Sequence, residues 1–168
     1  MADTGANFPT ITDSSSGVTT PDNAWTDNGQ NADFPDGAAN EAVYRGYGLN
    51  SELVNVTING LEVVTKQANA SAGQTGRLDV SLSWDGGSTY TATKAFTCTS
   101  DSYQTLTNGD ATDLWGRASW ATSEFTDTNF KVKVVMNAGV STAQTSIDFI
   151  TVKVYYTASS GGHFALVI

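Results

Sequence analysis

The chain has 168 residues and a mass of 17.6 kDa, room for one ordinary domain but not for a second large one. Eight Lys and Arg against 17 Asp and Glu leave a net charge of −9, a field that repels nucleic acid and anionic lipid and argues against both as partners. Charged residues are only 15% of the chain, and the abundance of Thr, Ser, Asn and Gly suits β-sheet with a neutral polar outer face better than a helical bundle. A single core of this size removes roughly 70% of the unfolded chain's surface from water, so neither a disulfide nor a metal is required for folding. The lone Cys98 has no partner within the chain and reads as a small strand residue.

No apolar run approaches the roughly 20 residues of a membrane-spanning helix, and MADTGANFPT lacks the basic and apolar segments of a secretory signal, so a soluble, unprocessed chain is expected. The glycosylation-like triplets Asn55-Val56-Thr57 and Asn69-Ala70-Ser71 read as ordinary strand and loop residues. Residues 1–40 contain all three prolines and show no sustained period of 2 or 3.6. They read as an extended N-terminal arm whose scattered apolar residues, Phe8, Val18, Trp25 and Phe34, dock singly on a surface made by something else. Phe8, Trp25 and Phe34 are therefore interaction candidates. Asp22, Asp27, Asp33 and Asp36 lie among Asn and Gly, an oxygen-rich setting that calcium favours. The spacing fits no EF-hand, and a solvated acidic loop is the better reading, with no metal expected.

Residues 41–157 change character, with short period-2 segments separated by turn signals, the pattern of antiparallel strands. Val54, Val56 and Ile58 face one way and Leu61 and Val63 have the opposite parity, which implies a bulge at Asn59-Gly60. Leu78, Val80, Leu82 and Trp84 alternate with polar residues, Asp85-Gly86-Gly87 supplies a hairpin turn, and the chain from Ser88 to Phe96 returns as partner strand. Phe130 to Met136 and Ile150 to Tyr156 are core strands. With weaker strands near Val43 to Leu49 and Tyr103 to Thr107, the count is about seven or eight, more than one flat sheet of this size holds. The expected fold is all-β, an antiparallel β-sandwich of jelly-roll-like topology with the arm at one end and a short C-terminal tail at the other. Residues 158–168 form that tail, a Ser-Gly hinge followed by His163 and an apolar end. Phe164, Leu166 and Ile168 would return to the chain's own core or add to another subunit as an edge strand.

Chemistry finds no foothold in this pattern. The single His163 lies near the chain end, no Gly-x-Ser-x-Gly elbow exists, and zinc spacing, phosphate loop and dinucleotide fingerprint are all absent. A carboxylate pair such as Asp79 with Glu124 could serve a glycosidase, but the sequence gives no separation between them and acidic residues are common in this chain. No catalytic residue and no cofactor is expected. The stretch Trp115-Gly116-Arg117-Ala118-Ser119-Trp120 supports two readings. Its indoles stack on sugar rings, or Trp115 and Trp120 plug the end of the sandwich with Arg117 stacked on a ring or paired to Asp113; plugging is favoured because large aromatics bury area more often than they bind ligands.

Five elements together, namely the polar N-terminal arm, Ser83-Trp84-Asp85-Gly86-Gly87, Asp113-Leu114-Trp115-Gly116-Arg117 with Trp120, Asn129 to Val134, and Asp148 to Tyr156, give a pattern that resembles small β-sandwich proteins of tailed-bacteriophage structural gene clusters. The likeness spans about residues 41–157. It implies a non-enzymatic virion component, foremost a capsid decoration or cement protein bound to the major capsid protein or other virion proteins, with tail or head-fibre roles next. A homo-oligomer, by analogy a trimer, follows from the same likeness. The alternative is a carbohydrate-binding adhesin with a glycan as partner.

Overall fold

The computed structural model describes residues 1–159 of the chain; the apolar tail, with Phe164, Leu166 and Ile168, lies outside the described residues. Among the described residues, ten strands form two antiparallel sheets. They are β1 (Ala2–Asp3), β2 (Ile11–Ser16), β3 (Ala32–Phe34), β4 (Glu41–Arg45), β5 (Val56–Asn69), β6 (Gly76–Ser83), β7 (Lys94–Cys98), β8 (Gln104–Gly109), β9 (Lys131–Met136) and β10 (Thr145–Ala158). The first sheet runs β1-β10-β5-β8, with β3 also on β10, and the second runs β2-β4-β9-β6-β7. This is a jelly-roll-like β-sandwich, as its alternating patterns imply. Inward residues of both sheets, among them Tyr44, Leu61, Val63, Leu78, Val80, Leu82, Val132, Val134, Ile150, Val152 and Val154, form one buried core. Each large apolar side chain buried there stabilises the fold by about 1.5–3 kcal/mol.

Several local expectations are met. Tyr155 pairs with Gly60 and Tyr156 with Ile58, so Asn59 is an extra residue in β5 and the parity of the inward set switches there. Gly60 has no alternative at that bend, because a Cβ would strike the backbone of Asp110 and Ala111. After β6, Gly86 and Gly87 both take positive φ. The returning strand is looser than a tight hairpin, with one bridge between Ser83 and Tyr90 before β7 begins at Lys94.

Residues 1–40 are used differently from the expected arm. They dock on their own sandwich, supplying β1, β2 and β3 and burying Ala24, Ala32 and Phe34 completely. The physical reason is the length of β10. Its 14 residues leave one long flank needing partners, and an open edge of that length is an aggregation hazard. The N-terminal segment covers it piecemeal. Ala2 and Asp3 pair with Tyr156 and Tyr155, Asn7 bridges Val152, Trp25 bridges Phe149, and β3 pairs with Thr145 to Ile147. Contacts of one to three residues are too short to show a period of 2, so this part of the sheet leaves no pattern in the sequence.

Candidate functional site

The aromatic loop after β8 is a plug. Trp115 is 2% exposed and Trp120 5%, and their indole N–H groups donate to the carbonyls of Leu61 (2.9 Å) and Leu114 (3.0 Å). Trp120 packs with Phe125 and Phe130, and the Arg117 guanidinium lies between Trp84 and Trp120, 4.0 and 4.3 Å from the ring centres. The stacked Arg117 is as expected, but its carboxylate partner is Glu124, held by two hydrogen bonds of 2.9 Å, and not Asp113. Asp113 instead caps the Trp115 N–H and pairs with Lys94. These rings are covered, so the sugar-stacking reading of Trp115 and Trp120 is corrected. Phe34 is likewise core and not an interaction residue. Asp79 is engaged by Arg77 and Asn137, and Glu124 by Arg117, so the carboxylates considered for hydrolysis serve separate networks.

A different surface offers a site. On the outer face of the first sheet, β5 presents Glu62, Val64 and Lys66, while β10 presents Phe149, Thr151 and Lys153 as their respective cross-strand partners in reverse order. Ala6, Phe8 and Asp27 rise beside them and, with Glu62, Val64, Phe149, Thr151 and Lys153, line a cleft of about 190 Å³ that Lys66 borders through its pairing with Asp27. Phe8 is 37% exposed and meets Phe149 edge to face, with ring centres 5.9 Å apart. At one end Glu62 accepts a hydrogen bond of 2.9 Å from the Tyr155 hydroxyl and pairs with Lys153 at 3.4 Å. Burial acts to lower the Lys153 pKa, but the neighbouring Glu62 carboxylate outweighs it and holds the ammonium above its ordinary value.

The other end is built on a second bulge. Ile147 pairs with Gln67 and Phe149 with Lys66, so Asp148 is the extra residue and both Asp148 and Phe149 turn to the outer side. The Asp148 side chain is 0% exposed. It accepts hydrogen bonds from the backbone N–H groups of Asn28 (3.2 Å) and Gly29 (2.9 Å) and pairs with Lys66 at 2.8 Å. Burial pushes its pKa up, and Lys66 with the two N–H groups overcomes this, so the carboxyl stays below its usual range. Lys66 also reaches Asp27 at 2.7 Å. Hydrogen bonds first to Asp148 and then to Asp27 raise the Lys66 pKa well above ordinary lysine. Of the acidic residues considered for calcium, Asp27 is thus paired with a lysine and Asp33 accepts from the Ser146 hydroxyl, and no group of three or more His, Cys, Asp or Glu among the described residues is arranged to hold a metal.

Of the residues singled out from the sequence, Phe8 and Asp27 line this cleft, Phe8 as an interaction candidate and Asp27 as part of the acidic loop weighed for calcium. Trp25 borders it through its backbone bridge to Phe149, with its indole N–H donating to Thr12. Phe149, Glu62, Val64, Thr151 and Lys153 were not anticipated as site residues. The available signal was Phe149 itself, an aromatic sharing the wetted-face parity of Thr151, Lys153 and Tyr155.

The architecture is that of sandwiches found in carbohydrate-binding modules. The C-terminal CBM6 module of LamC, a laminarinase from Zobellia galactanivorans, is 10% identical over 92% of this chain and 99% of that one, with a TM-score of 0.50. PfGH50B is also 10% identical, over 92% of this chain and 24% of that longer one, with a TM-score of 0.52. At such identity the likeness is one of fold. No family model matches the chain, and no curated protein matches it in sequence.

Proposed function

We propose that this chain is a non-catalytic carbohydrate-binding module that holds a glycan in the cleft on the outer face of its first sheet. The observation that carries the reading is the half-exposed Phe8–Phe149 pair set between polar groups that face the same cleft. Aromatic rings accept the apolar face of a pyranose, and Glu62, Thr151 and Lys153 are placed to exchange hydrogen bonds with its hydroxyls. The fold shared with the LamC module supports the same reading. In a bacteriophage particle, the setting implied by the sequence resemblance, such a module would serve as an attachment element. The cement role would need the N-terminal segment to reach neighbouring capsomers, and the pairing of that segment along the chain's own β10 favours attachment over that role.

A glycan array followed by calorimetry tests the proposal. Phe8→Ala and Phe149→Ala are expected to abolish binding of the best ligand while the variants still unfold cooperatively. Retained affinity in both variants would refute this site, and failure of the native chain to bind any glycan would refute the function.

A further inference from the structure

We infer that the cleft selects uncharged glycans and excludes those bearing uronate or sulfate; this rests on the carbohydrate-binding reading. An anionic sugar needs a cation free to receive it, and both Lys153, which lines the cleft, and Lys66, which borders it, are already committed. Lys66 sits 2.7 Å from Asp27 and 2.8 Å from Asp148, and Lys153 sits 3.4 Å from Glu62. Drawing Lys66 toward a ligand would leave Asp148 charged and buried with its counter-ion gone, a costly outcome.

The local charge points the same way. Of the residues lining the cleft, Asp27 and Glu62 are two carboxylates against the one ammonium of Lys153, a formal net of −1 within a chain of −9, and the neighbouring Lys66 and Asp148 cancel each other. The near field repels an anion at contact and the far field slows its approach. A neutral sugar meets neither obstacle. Its hydroxyls donate to Glu62, which Tyr155 and Lys153 hold in place, and to Asp27, which is 53% exposed. Glu62 and Lys66 are four residues apart on β5, a span of about 13 Å, with Val64 between them, Thr151 across from Val64 and Phe149 across from Lys66. The polar, apolar, polar sequence along that span suits an uncharged oligosaccharide of about two to three rings lying along the strands.

The test compares neutral oligosaccharides with uronate-bearing and sulfated ones, on the native chain and on an Asp27→Asn, Glu62→Gln double variant, at low and high salt. Binding by the native chain is expected to be confined to neutral glycans, with the uronate analogue of the best ligand at least about tenfold weaker. High salt should narrow that gap, and the double variant should largely close it. A uronate or sulfated glycan bound by the native chain as tightly as its neutral counterpart overturns the inference and leaves carbohydrate binding standing. So does a double variant that folds, binds neutral sugar and still discriminates as before. A native chain that binds nothing on the array refutes both readings together.

Discussion

Asp148→Asn probes the joint between fold and cleft, because this buried carboxylate holds the loop that carries Asp27. The amide oxygen of Asn can still accept from Asn28 and Gly29, but the bonds lose their ionic component, and the new NH2 group confronts the Lys66 ammonium. Hydrogen bonds to a charged group contribute about 1.5–3 kcal/mol each in favourable cases and a broken buried pair costs about 3–5 kcal/mol, while Lys66 keeps Asp27 as a partial substitute. The expected net loss is about 2–3 kcal/mol at neutral pH, or roughly 4–12 °C in melting temperature for a domain of this size. Urea unfolding at a series of pH values is the assay. The folded pKa of Asp148 is depressed, so its contribution is fully present above the unfolded value of about 3.9 and fades as pH falls through the folded one. Asp13, Asp85, Asp110 and Glu124 are depressed as well, so both proteins weaken in acid. What isolates Asp148 is the gap between native and variant, which should be widest at neutral pH and shrink below about pH 4. A variant within about 0.5 kcal/mol of native at pH 7, or a gap independent of pH, would refute this account of the bulge.

Trp120→Ala should cost about 3–5 kcal/mol by emptying the plug, with glycan affinity at any still-folded temperature close to native; calorimetric melting and binding read the two effects separately. Gly60→Ala drives a methyl group into the Asp110 backbone and should lose about 2–3 kcal/mol in urea unfolding. Removing residues 1–8 takes away Phe8 and bares the β10 edge from Val152 to Tyr156, so sedimentation should report self-association together with loss of glycan binding.

The sandwich was legible where strands are long. β5, β6, β9 and β10 each carry an alternation sustained over several residues, and the switch between Ile58 and Leu61 marks the bulge at Asn59. The same sign was present at Ile147 and Ile150, both buried and three residues apart, which a regular strand does not permit. It went unread because Asp148 and Phe149 between them look like one polar and one apolar position of an unbroken alternation. The N-terminal strands were illegible for a different reason. β1 and β3, of two and three residues, gain their order from β10 and hold no period of their own, and β2, paired with β4, carries only Ile11 as an apolar residue. The cleft inherits that opacity, since Phe8 and Phe149 are 141 positions apart and nothing local in either neighbourhood names the other. The plug, by contrast, is assembled from near neighbours, and Trp115, Arg117 and Trp120 announce it by proximity alone.

This division bears on how binding and folding are linked. The floor of the cleft lies on β5 and β10, whose long ladder is the backbone of the first sheet, whereas Phe8 and Ala6 belong to a segment held by isolated bridges and a two-residue strand. Segments with so few backbone pairings open at lower free energy than the sheet beneath them. A glycan touching both Phe8 and Phe149 binds only the docked state of that segment, so its binding free energy adds to docking by mass action. The short, aperiodic stretch at the start of the chain is therefore the part of the molecule that ligand should stabilise most. The covered Trp plug at the sandwich end, which touches no ligand in this arrangement, should respond least.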